Sequence, residues 1–131
     1  DDTIKNNICL GLDEKEIDYD LLDQALEGSQ LTEFVNSLDK GYNTLLGEKG
    51  SQISGGQKQR IGIARSLYKK SKVIIFDEAT NALDDTTETK IINLIKNLSK
   101  EKTIIFVTHN SKNLSICDEI YKMSNGKIKL I

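Results

Sequence analysis

The chain of 131 residues contains no proline, so no turn or helix end is fixed by one, and glycine and asparagine are left to punctuate the fold. Cysteine is scarce: Cys9 and Cys117 stand far apart and lack the spacing of a metal site. Two reduced cytosolic thiols are expected of them rather than a disulfide. No apolar run approaches the length of a membrane span, which predicts a soluble chain. From the opening Asp1-Asp2 no secretory leader is expected. Charge of either sign is nearly balanced. Eighteen Lys and Arg against 20 Asp and Glu leave a net charge of -2, which suggests no nucleic-acid partner. With 37% hydrophobic residues and no internal repeat, the chain reads as one modest domain.

What is present is periodic. Asp1 to Asp13 has no clear period and reads as an irregular lead-in. Leu21, Leu22, Ala25 and Leu26 then repeat at helical spacing, with Gly28 as a natural stop. Leu31, Phe34, Val35 and Leu38 form one face of a second helix, and residues 41–54 read as a loop. A third helix starts at Ser54, with Ile61, Ala64, Leu67 and Tyr68 as its buried stripe and Lys58, Arg60 and Arg65 on its polar side. Val73-Ile-Ile-Phe76 is a continuous apolar run, as in a parallel strand covered on both faces, and Thr103-Ile-Ile-Phe-Val107 is a second. Between them, Asp85 and Glu88 make a capping-box-like start for a fourth helix, whose apolar face is Ile91, Leu94, Ile95 and Leu98. A short helix near Asn113 to Ile116 and a hairpin turning at Asn125-Gly126 complete the chain.

Strand, helix, strand is the α/β pattern, and ligands of such sheets gather at the carboxyl ends of the strands. Asp77-Glu78 and His109 stand at those ends. Val73-Ile-Ile-Phe-Asp77-Glu78 has the form of a Walker B motif: an aspartate that can hold Mg²⁺ and a glutamate that can orient or deprotonate water. Alone it is weak, because many buried strands end in acidic residues. Ser54-Gly-Gly-Gln57 joins a hydroxyl, bare amides and a helix N-terminus, which suits an anion such as phosphate. Alone it could be any glycine loop before a helix. His109 alone could be merely structural, and Asn81-Ala-Leu-Asp84 an ordinary strand-to-helix connection.

In this order and spacing the four features together resemble the ATP-binding cassette family of transporters. Ile53-Ser-Gly-Gly-Gln57 matches the family's signature, with Ile53 where leucine is commonest. Phe76-Asp-Glu-Ala-Thr80 matches the Walker B end, Asn81-Ala-Leu-Asp84 the D-loop, and Thr108-His109 the switch histidine. Gly47-Glu-Lys-Gly50 looks like the extra loop of exporters, Ala79 leans the same way, and Thr3 to Ile8 resembles the segment after an exporter's Q-loop. The resemblance implies an α/β, P-loop NTPase-like fold in part: a helical subdomain over about 14–70, then parallel strands, flanking helices and a C-terminal hairpin over about 71–131.

It further implies an ATPase that works with ATP and Mg²⁺ in a parent exporter. Asp77 would hold the metal, Glu78 act as catalytic base and His109 as the switch. Ser54, Gly55, Gly56 and Gln57 would reach the γ-phosphate of ATP bound by a second nucleotide-binding domain, closed head to tail. Asp84 would sit at that interface. The partners implied are that second domain and a transmembrane domain, which sets the parent at the cytoplasmic face of the membrane. The 131 residues contain no Gly-x-x-x-x-Gly-Lys-Ser/Thr phosphate cradle. They therefore resemble roughly the second half of a nucleotide-binding domain, expected alone neither to bind nor to hydrolyse ATP. With strands parted from their neighbours, self-association is expected of them. Two other readings are a soluble cassette ATPase of the DNA-repair type and a non-catalytic module that lends a signature. The Gly47–Gly50 loop weighs against the first, and the presence of Glu78 and His109 against the second.

Overall fold

The computed structural model describes all residues except Asp1, Glu48, Lys49 and Ser51, so part of the exporter-like Gly47–Gly50 loop lies outside the described residues. The lead-in is not irregular. Thr3 accepts the backbone N–H of Asn6 and starts α1, Ile4–Ile8. Ile4 and Ile8 are fully buried in it. A helix of five residues is too short to show a period, so its burial was hidden in the sequence. Helix α2, Tyr19–Gly28, is capped by Asp18, and α3, Thr32–Asn36, follows. Gly28 does not stop α2 by a left-handed turn. That conformation belongs to Gln30, at φ +60°, while a Cβ on Gly28 would sit 3.0 Å from the Leu67 side chain.

Helix α4, Gly55–Tyr68, has two working faces. Ile61, Ala64 and Tyr68 join α1, α2 and α3 in one buried cluster, which includes Leu22, Leu26, Leu31 and Val35. Each buried Leu, Ile or Val among them contributes about 1.5–3 kcal/mol by leaving water. Ile63, which the sequence reading left off the stripe, turns the other way into a second cluster. Arg60 and Arg65 are not simply solvated. They donate to the carbonyls of Gln30 and Asn7, tying α4 to the ends of α2 and α1.

The second cluster is built on two parallel strands, β1, Val73–Asp77, and β2, Thr103–Val107, in register from Val73 opposite Thr103 to Asp77 opposite Val107. Helix α5, Asp85–Leu98, connects them. Ile74 and Phe76 pack against Ile63, Ile91 and Ile95. The other face of the sheet is open in this chain, against the expectation of strands covered on both sides. Val73 is 51% exposed, Ile75 63%, Ile105 48% and Val107 44%. A 3-10 turn, Ser111–Ile116, leads to an antiparallel hairpin of β3, Tyr121–Ser124, and β4, Lys127–Leu130. Asn125 and Gly126 both have positive φ, as a type I′ turn requires. Cys9 is buried and Cys117 half-buried, neither is bridged, and burial pushes both thiols up. The observed mixture of helices, a parallel strand pair and a hairpin agrees with the α/β reading.

Candidate functional site

Strand β1 hands the chain to Glu78 in an unusual conformation. Its N–H extends the ladder to the Val107 carbonyl at 2.9 Å, yet its φ is +49°. Left-handed backbone costs a non-glycine residue roughly 1–2 kcal/mol and is kept only where neighbours enforce it. The turn carries the Glu78 side chain across to β2. One carboxylate oxygen lies 2.6 Å from His109 Nε2, and the other accepts the Asn81 side-chain amide at 2.9 Å. Glu78 and His109 are thus joined although 31 positions separate them. Both are open to solvent, with 43% and 85% of their side chains exposed. An exposed ion pair adds only about 0–1 kcal/mol, so fold stability does not explain the arrangement. Asp77 closes β1 with its side chain exposed.

Ser54 is the N-cap of α4, with a reciprocal capping box. Its hydroxyl oxygen accepts the Gln57 N–H at 3.2 Å, and the Gln57 side-chain carbonyl accepts the Ser54 N–H at 2.8 Å. The hydroxyl proton stays free to donate, and the Gly55 and Gly56 N–H groups, unlike that of Gln57, have no partner within the helix. Ser54 and Gly55 are exposed, and Gly56 is partly buried. The two glycines differ in what they face. A Cβ on Gly55 would meet only the Ala82 side chain at 3.7 Å. One on Gly56 would lie 2.8 Å from the Ala82 carbonyl oxygen, so Gly56 lets the helix start press against the 78–84 turn.

Asp84 caps α5, accepting the Thr87 N–H at 3.0 Å, and that bond holds its carboxyl below the ordinary aspartate value. The cap is therefore Asp84, one residue before the expected Asp85. Glu88 does not return to the cap but accepts the Asn113 amide at 2.8 Å. Sequence reasoning gave no role of their own to two residues that touch the site, although it named Asn81 at the start of the D-loop match. Asn81 holds the second Glu78 oxygen. Gln59 donates to the Glu78 carbonyl at 3.1 Å and accepts the Ala82 N–H at 3.0 Å. No motif singles out Gln59; its position three residues after Gly56, on one helical face, was the available signal.

These residues suit a nucleotide phosphate and a metal only in part. Among the described residues, no three His, Cys, Asp or Glu side chains gather as a metal cage. Magnesium needs no such cage, because it keeps several waters and binds one or two carboxylates plus substrate phosphates, a role open to Asp77. No helix among the described residues is long and apolar enough to cross a membrane.

Comparison with known proteins gives a consistent picture. The family model described as ABC transporter matches residues 3–81, more than half of the chain. An ATP-dependent lipid A-core flippase of Francisella tularensis subsp. tularensis is 41% identical over 128 residues, covering 98% of this chain and 21% of the relative. A protein of the same name in Idiomarina loihiensis is 42% identical over 127 residues, covering 97% of this chain and 22% of the relative. The solved structure of a bacterial Atm1-family ABC exporter with ATP bound superposes with a TM-score of 0.90 at 35% identity, over 98% of this chain and 22% of that one. The chain spans about a fifth of the length of the curated relatives it matches.

Proposed function

The chain belongs to the ABC transporter family, and from that premise we propose that it forms part of the ATP-hydrolysing domain of a membrane exporter. The observation that carries the reading is the meeting of Glu78 and His109 at the carboxyl ends of two adjacent parallel strands. Glu78 accepts a proton from the attacking water. His109 holds one Glu78 oxygen and Asn81 the other, which fixes the carboxylate's direction. Orientation and general-base help of this kind are worth about 10²–10⁴ in rate. Asp77 would hold Mg²⁺, and the ion would supply positive charge against the phosphates of the nucleotide.

The helical part of the chain, centred on α2, α3 and α4, and the strand part from Val73 onward act as two subdomains, in line with their separate buried clusters. Ser54, Gly55, Gly56 and Gln57 serve a second site. They donate toward the γ-phosphate of ATP held by a head-to-tail partner domain, using the free hydroxyl proton and the first-turn amides. ATP in both sites closes the pair, and loss of the γ-phosphate releases it. The open face of Val73, Ile75, Ile105 and Val107 would pack against the phosphate-cradle half of the same domain. Motion of the helical part passes to a transmembrane domain at the cytoplasmic face. The relatives are named for lipid A-core, so an amphipathic lipid is the first cargo to try. The DNA-repair type is not favoured, because the matched proteins are exporters and flippases.

The test is Glu78→Gln in the full-length exporter. Hydrolysis should fall by about 10²–10⁴ while ATP-driven closure persists. Turnover near the wild-type rate would remove Glu78 from its role.

A further inference from the structure

Helix α4 meets the turn after β1 twice on one face. Gly56 backs onto the Ala82 carbonyl, and three residues on, Gln59 clasps both ends of the turn. Its amide N–H donates to the Glu78 carbonyl at 3.1 Å, and its amide oxygen accepts the Ala82 N–H at 3.0 Å. The primary amide supplies both the donor and the acceptor from one plane. The Glu78 backbone is thereby gripped from two elements: its N–H by β2 through the Val107 carbonyl, its carbonyl by α4 through Gln59. Glu78 holds a left-handed φ within this grip, and its side-chain direction depends on that φ.

We propose that Gln59 is a positioning residue that couples the two ATP sites of the exporter. The inference rests on the functional reading above, in which the start of α4 contacts the partner's ATP and Glu78 serves the chain's own. Gln59 lies on the same helix as Ser54 and Gln57, less than two turns further on. When the start of α4 engages a γ-phosphate, the helix moves as a rod and Gln59 carries the 78–82 turn with it. The Glu78 carboxylate is aligned for its own site only once the opposite site is filled. One side-chain amide thus links phosphate sensing in one site to base alignment in the other, a coupling with a named two-ended element.

The experiment compares Gln59→Leu and Gln59→Glu in the full-length exporter, with wild type and Glu78→Gln in parallel. Leucine removes both bonds at similar volume. Glutamate keeps an acceptor for Ala82 but sets an oxygen against the Glu78 carbonyl. Both variants should lower kcat about tenfold, the scale of one or two lost neutral hydrogen bonds. KM for ATP should stay within about twofold, since neither bond touches substrate. The wild type should show a Hill coefficient for ATP above 1, and in both variants it should fall toward 1. Unchanged kcat and Hill coefficient in Gln59→Leu, while Glu78→Gln is inactive, overturns the coupling role alone. A fall in kcat that tracks a lower melting temperature, with the Hill coefficient unchanged, also overturns it and leaves Gln59 a structural strut. Wild-type turnover by Glu78→Gln overturns both this inference and the reading beneath it.

Discussion

Three glycines of α4 invite the same substitution and should answer it differently. Gly62 is exposed, and a Cβ there meets nothing within 4 Å. Gly62→Ala should therefore stabilise by about 0.5–1 kcal/mol, the helix-propensity difference. On Gly55 the added carbon finds ordinary contact with Ala82 Cβ at 3.7 Å, so Gly55→Ala should be close to neutral. On Gly56 it would lie 2.8 Å from a backbone carbonyl oxygen, and the neighbouring Ala82 N–H is already tied to Gln59. That oxygen shares its peptide plane with the Leu83 N–H, which donates to the Thr80 carbonyl at 3.1 Å, so the turn cannot rotate it away without breaking that bond. Overpacking costs about 1–3 kcal/mol, and the helical gain of alanine offsets at most ~1 of it. A net loss of about 1–2 kcal/mol corresponds to several degrees in Tm. Thermal denaturation of the three variants is the assay. A Gly56→Ala protein as stable as wild type would refute the close packing of α4 on the 78–84 turn. A destabilised Gly62→Ala would refute the helical account itself. ATPase assays of the full-length exporter add a second axis: Gly55→Ala should fold normally yet hydrolyse poorly, because the new methyl crowds the position assigned to the partner's phosphate.

Two further outcomes follow from the cap and from the open sheet. The Thr87 N–H holds the Asp84 carboxyl below its ordinary value of 3.8, so the folded state favours the ionised form. That stabilisation is complete above the unfolded value and is lost as pH falls through the lower folded one. An acid titration followed by circular dichroism should show it, and Asp84→Ala should flatten the loss of α5 helicity below about pH 4. The polypeptide of residues 1–131 should self-associate through Ile75 and Ile105, which face each other across β1 and β2 on the open face. Sedimentation velocity should show association that rises with concentration and weakens in Ile75→Glu/Ile105→Glu. A monomer at all concentrations would contradict it.

Much of this was legible because it rests on local chemistry. Ser54 and Gln57 announce a capping box, Asn125-Gly126 a type I′ turn, and the Ile91 to Leu98 spacing a helix face. The joining of Glu78 and His109 followed from parallel strands presenting their carboxyl ends together. What stayed hidden needed tertiary knowledge. Helix α1 is too short to show a period, so the full burial of Ile4 and Ile8 could not be foreseen. Ile63 was missed because α4 packs on two sides, and a single stripe describes only one. Arg60 and Arg65 stood only as the polar side of α4 in the sequence, yet they bind carbonyls 30 and 58 positions away. Gln59 carries no period and no motif, and its partners appear only once the turn after β1 is folded against α4.

The central claim is that one chain serves two sites, lending Glu78 to its own and Ser54 to its partner's. Mixed dimers of the full-length exporter test it directly. With Glu78→Gln and Ser54→Arg on the same chain, each site carries one lesion, and hydrolysis should approach background. With the two substitutions on opposite chains, both lesions fall in one site and the other is intact, so turnover clearly above background should remain, from about a twentieth of wild type where the coupling between sites is lost to roughly half where it is not. The reverse pattern, with activity surviving only when both substitutions share a chain, would place the Ser-Gly-Gly-Gln segment and Glu78 in the same site and contradict the account.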